Sequence, residues 1–184
     1  LVTGIVGPLT SENVVFVYGA VREAGKPLLS PAATSPALAT LDDGGFVFST
    51  TVTDSYQGRV LAQIARDEGS GRVFVVYRAD AWGRGLSAVF IEEYERLGGE
   101  TRQHAYNPAT LNTATIVDEL RANEATTVLA ISFLDDAAAI IKSVTNAGEQ
   151  PAWLLTDGSS AGQLLAKIGD PSLLNGAVGV SPSP

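Results

Sequence analysis

The sequence contains no cysteine and no methionine, and its one histidine is His104. Without thiols there is no disulfide framework, no thiolate nucleophile and no cysteine zinc site. No apolar run approaches the roughly 18 residues of a membrane-spanning helix. Cations are scarce too: 12 Lys and Arg against 20 Asp and Glu leave a net charge of −8. That balance argues against nucleic acid, which wants a basic face. No spacing of His104 with carboxylates suggests a metal. The run from Gly19 to Gly25-Lys26 is one residue too long for a phosphate loop, and Pro27 stands where Ser or Thr is needed. No metal and no cofactor are therefore expected. The chain opens on Leu1-Val2-Thr3-Gly4-Ile5-Val6, which reads as the middle of a strand, so a piece of a longer protein is expected.

What is present is alternation. Short runs rich in Val, Ile and Leu ("LVTGIVG", "KPLLS", "FVFST", "RVFVVY", "TVLAISF", "AWLLT", "AVGVS") are separated by amphipathic stretches. Val14, Val17, Tyr18 and Val21 fall at helical spacing, as do Leu86, Val89, Phe90 and Leu97, and Ile140, Ile141 and Val144. "ETRQHAY" is a weaker strand. Continuous apolar strands between amphipathic helices predict an α/β fold with parallel sheets covered on both faces. In such folds ligands sit beyond the carboxyl ends of the strands, so function is expected in the turns.

Those turns contain few chemical groups. Ser11, after "GPLT", is a natural helix N-cap, or a hydroxyl that holds an anion beside free N–H groups. "SPAATSP" ends the second strand with two prolines and small residues, which leave backbone N–H and C=O groups uncovered; Thr34 adds a hydroxyl. Trp82 in "DAWGRG" and Phe133 are satellite core residues or apolar walls over a ligand. Asp135 reads as an N-cap, and Asp157 as a cap or a cation ligand. The acidic pairs Asp42-Asp43, Glu92-Glu93 and Asp135-Asp136 read as solvated turns and helix faces.

Taken together, "GPLTS", "GKPLLSPAATSPAL", "FSTTVTDSYQG", "DAWGRGL" and "WLLTDG" resemble, in order and spacing, a known family. It is that of the extracytoplasmic substrate-binding proteins of branched-chain-amino-acid-type ABC transporters, with the type I periplasmic binding fold. The resemblance spans essentially the whole chain and implies two Rossmann-like α/β lobes, present here in part, around a ligand cleft. It implies residues 1–52 as part of lobe one, 53–178 as most of lobe two and 179–184 as the start of a crossover back. It further implies that Ser11, Ala32, Ala33 and Thr34 hold a ligand carboxylate, that a carbonyl of that segment with Asp157 holds the amino group, and that Trp82 and Phe133 wall the cleft. Two positions depart from the family: Ser49 stands where Arg is common, and Trp82 where Tyr is common. The implied function is capture of a small amino acid, branched-chain or otherwise apolar, and delivery to a membrane permease, from a periplasmic or extracellular location. Family members are about twice as long, so residues 1–184 alone are expected to bind at least tenfold more weakly than the whole.

Two alternatives remain. One is a cytoplasmic or sensor-type domain of the same fold that binds amides or amino acids. The other is a serine esterase, because Gly158-Ser159-Ser160-Ala161-Gly162 fits the nucleophile elbow G-x-S-x-G between a strand and a helix. An esterase of that kind needs a His after the Ser, and His104 precedes it, so no catalysis is expected.

Overall fold

Valine-rich runs pair into two parallel sheets. The computed structural model describes residues 2–159 and 161–181. The first sheet joins β1 (Ile5–Val6), β2 (Leu28–Ser30) and β3 (Val47–Ser49) in that order. The second joins β4 (Arg72–Arg78), β5 (Glu100–Tyr106), β6 (Thr127–Ile131), β7 (Ala152–Leu155) and β8 (Val178–Gly179) in the order β5-β4-β6-β7-β8. All the pairings are parallel. Helices α1 (Ser11–Ala24), α2 (Asp54–Asp67), α3 (Ala81–Arg96), α4 (Thr113–Ala122), α5 (Leu134–Asn146) and α6 (Ala161–Ile168) lie between the strands in sequence.

The second sheet is buried on both faces because its strands alternate between two apolar layers. Phe74 and Val76 of β4, with Val128 and Ala130 of β6, pack against Ile116, Leu120, Ile140, Ile141 and Val144 of α4 and α5. Val73 and Val75, with Leu129 and Ile131, face Leu61 and Ala65 of α2 and Leu86, Phe90 and Tyr94 of α3. This explains the continuous apolar reading of those strands. The first sheet is slighter. Leu28 and Ala33 pack on Val14 and Val21 of α1, while Val6, Leu29, Phe48 and Phe16 are exposed.

Helix starts differ from expectation at two places. Thr10, not Ser11, is the N-cap of α1: its backbone is extended and its hydroxyl accepts from Asn13 N at 3.4 Å. Phe133, not Asp135, occupies the N-cap of α5, with no side-chain bond there. Asp136 is not a solvated acid either. It accepts from Arg78 at 2.7 Å and from the Tyr106 hydroxyl at 3.1 Å, with most of its side chain covered.

Candidate functional site

β4 lies between β5 and β6, so the crossover leaving β4 goes to one side and the next returns on the other. Such a point of reversal opens a crevice beyond the strand ends. There a cavity of about 370 Å³ is lined by Leu9, Thr10, Ser11, Ala32, Thr34, Trp82, Phe133, Asp157 and Gly158. Six of the seven residues expected to form a site meet in it, from turns after β1 and β2 of one sheet and β4, β6 and β7 of the other. Ala33 does not line this cavity; it is buried against α1. A larger hollow, of about 620 Å³, shares Asp157 but is otherwise walled mainly by Leu155, Leu165, Pro171, Leu174 and Ala177.

The hydrogen bonds of the small-residue segment differ from what an open turn would give. Ser11 Oγ accepts from Thr34 N at 3.2 Å and from Ser35 N at 3.1 Å, and Ser30 Oγ accepts from Ala33 N at 3.1 Å. The Ala33 carbonyl accepts from Ser49 Oγ and the Thr34 carbonyl from Asp54 N. Between residues 32 and 35, Ala32 alone keeps both its amide and its carbonyl without a partner among the described residues. The Ser11 oxygen is a double acceptor, so its own proton is free to donate into the cavity. Ser11 is also the first residue of α1, whose leading N–H groups have no helical partner.

The opposite wall is a stack. The Trp82 and Phe133 rings are parallel with centroids 4.8 Å apart, and the Arg78 guanidinium lies 4.5 Å from the Phe133 ring centre. Arg78 is held by Asp80 at 3.0 Å and by Asp136, so its charge is balanced and serves to fix the wall. Asp80 also caps α3, accepting from Gly83 N at 2.9 Å.

Two acids stand deeper. Asp157 Oδ1 is buried and without a partner among the described residues, as are Gln57 Oε1, Ser132 Oγ and Thr156 Oγ1. Burial raises the pKa of Asp157, against the neighbouring Gln57 amide, which lowers it. Asp157 does not cap α6, which begins at Ala161. Asp54, at the start of α2, is 2% exposed and accepts from Thr34 Oγ1 at 2.8 Å. Burial lifts its pKa to about 7, against the Thr34 hydrogen bond and with help from the Asp157 charge. Sequence reasoning missed Asp54, Arg78, Tyr106 and Asp136. The one signal for Asp54 was its place in "TDSYQG".

The sheets also touch around the cavity. Ser35 Oγ donates to the Ala81 carbonyl at 2.7 Å, and Ala81 N–H donates to Glu12 Oε2 at 2.7 Å. A Cβ on Gly85 would lie 2.6 Å from Ser35 Oγ and 2.9 Å from Pro36 Cδ, so only glycine lets α3 come this close. Of the elbow residues, Ser159 donates to the Thr156 carbonyl at 3.3 Å, and Ser160 lies outside the described residues. His104 pairs with Glu119 at 3.0 Å.

The fold is that of known binding proteins. A leucine-binding protein, LivK, from Thermotoga maritima superposes with a TM-score of 0.84 at 23% identity, over 92% of this chain and 49% of its own. A putative branched-chain amino acid ABC transporter protein from Rhodospirillum rubrum gives 0.68 at 20% identity, over 92% and 49%. Among curated sequences, glutamate receptor 2.8 of Arabidopsis thaliana is 27% identical over 163 residues, 85% of this chain and 17% of the receptor. The chain thus spans about half of the solved chains and a small part of the receptor. The cleft at the strand ends draws its lining from the turns of both sheets, and residues 2–184 match the model for periplasmic binding proteins: the chain belongs to the periplasmic binding protein family.

Proposed function

We propose that the chain captures a small apolar α-amino acid between its lobes, outside the cytoplasm, and delivers it to the membrane permease of an ABC importer. One observation carries this reading: a single cavity gathers a free hydroxyl proton and free helix-start amides on one wall, a carboxyl with one buried oxygen left without a partner on another, and stacked aromatic rings on a third. Ser11, the Ala32 backbone and the start of α1 would take the ligand carboxylate. A helix terminus contributes about 0.3–2 kcal/mol, so several donors must act together to reach micromolar affinity, near −8 kcal/mol. Asp157 would take the ammonium. Its unpartnered oxygen is costly when the cleft is empty and is satisfied by a cationic donor. Trp82 and Phe133 would cover the side chain, and their rigid wall favours an apolar one.

A second reading is a sensor domain of the same fold, favoured by the match to a plant receptor over most of this chain. Both readings predict amino-acid binding and differ in the partner. A thermal-shift screen of the full-length protein tests what they share. L-leucine, L-isoleucine or L-valine at a hundred times Kd should add about 2.7 kcal/mol and, for a protein about twice this length, raise Tm by roughly 3–5 °C. Stabilisation by benzoate or simple amides, with none by amino acids, would overturn the proposed ligand class.

A further inference from the structure

We infer that Asp54 is a positioning residue that sets whether the Thr34 hydroxyl donates into the cleft or accepts from it. The inference rests on the reading of the cleft as an amino-acid site and adds a control that reading does not contain. Thr34 lines the cavity, and Asp54 stands behind it. The two residues are bound twice: Thr34 Oγ1 to Asp54 Oδ2 at 2.8 Å, and Asp54 N to the Thr34 carbonyl at 2.9 Å. A hydroxyl has one proton and two lone pairs. An ionised Asp54 can only accept, so it takes the Thr34 proton and leaves Thr34 able only to accept from the cleft. A neutral Asp54 can donate to Thr34 instead, and Thr34 then turns its proton inward.

The difference decides what Thr34 recognises. The amides of Ala33, Thr34 and Ser35 are already taken by Ser30 and Ser11, so hydroxyl protons matter on this wall. With Asp54 neutral, Thr34 joins Ser11 as a donor to a carboxylate. With Asp54 charged, Thr34 opposes a carboxylate and suits an N–H donor. Burial holds Asp54 where this exchange falls at physiological pH. The charge that faces it from another element is Asp157, after β7. Thr34, Gln57 and Val180, which surround it, carry no charge. Binding of a carboxylate should therefore draw a proton onto Asp54.

The test is calorimetry of L-leucine on the full-length protein at pH 6.5, 7.5 and 8.5, in buffers of different ionisation enthalpy. The expected result is a Kd that weakens towards tenfold per pH unit above neutrality, the limit for one linked proton, with proton uptake on binding. In Asp54→Asn, whose amide can donate to Thr34 at every pH, the Kd should be flat and the uptake gone. A flat Kd in the wild type, or a slope kept in Asp54→Asn, overturns the inference. Absence of binding by L-leucine and every other apolar amino acid at all three pH values overturns the functional reading instead. A ligand-free measurement then decides the inference: the carbon-13 titration of the Asp54 carboxyl. Thr34→Val should move its midpoint upward by removing the donor to the charged form, and an unmoved midpoint sinks the coupling.

Discussion

Removing the Ser11 hydroxyl strands two buried N–H groups, those of Thr34 and Ser35. An unsatisfied buried donor costs about 1–3 kcal/mol, so Ser11→Ala is expected to lose about 2–6 kcal/mol and to lower Tm by roughly 5–20 °C. Differential scanning calorimetry checks this; a loss below about 1 kcal/mol would mean that water replaces the hydroxyl. Asp54 gives a pH dependence of defined sign. Its pKa is raised from 3.8 in the unfolded chain to about 7 in the fold, so between those values the folded state holds a proton that the unfolded state has released. Stability from this group is complete below pH 3.8 and is lost as pH rises to about 7. Urea unfolding from pH 4 to 8 should show this fall, and Asp54→Asn should remove that component. Neither role was legible in sequence. Thr10 and Ser11 are both good caps, and only a segment more than twenty residues away decides that Ser11 serves that segment while Thr10 caps. Asp54 stands among Thr53 and Ser55, where an acid normally meets water, and its burial is a tertiary fact.

At the scale of elements, strands were read by how far they are buried. β4 and β6 are covered on both faces and appear as unbroken apolar runs. β5 reads weakly because it is an edge strand: it pairs only with β4, and Glu100 and Arg102 are among the polar side chains it carries. The first-sheet strands are two or three residues long, shorter than their apolar runs suggest. α3 shows what periodicity cannot tell. Its apolar spacing is ordinary, yet two of its glycines mark opposite approaches. A Cβ on Gly83 would stand 2.1 Å from the Arg78 carbonyl oxygen, which is backbone and cannot swing aside. A Cβ on Gly85 meets Ser35 and Pro36 of the connection between β2 and β3. Gly83→Ala should thus unfold the second sheet's cleft edge and cost about 3 kcal/mol or more, while Gly85→Ala should cost less stability and weaken ligand binding by holding the sheets apart. Chemical unfolding and ligand calorimetry on both variants separate the two; equal effects in both measurements would contradict the assignment.

Across the whole molecule, the α/β class and the gathering of strand-end turns were legible because they follow from alternation and parallel pairing. The motifs "GPLTS", "SPAATSP", "DAWGRG" and "WLLTDG" hold five of the six expected residues that line the cavity, and Phe133, the sixth, lies outside all four. The second layer stayed hidden, since Arg78, Asp80, Tyr106 and Asp136 come from three separate stretches and only the folded chain joins them. Those four residues hold Phe133, and through it Trp82, at the meeting of the sheets. The protein has two tryptophans, each 4% exposed but in unlike settings: Trp82 lines the cleft, whereas Trp153 belongs to the core cluster with Phe74, Val128 and Ile140. Indole emission responds to the polarity around the ring, so the fold carries a built-in optical reporter beside a built-in internal standard. Ligand addition should change the intrinsic fluorescence of Trp153→Phe as it does that of the wild type, while Trp82→Phe should stay dark to the ligand and show only the steady signal of the interior.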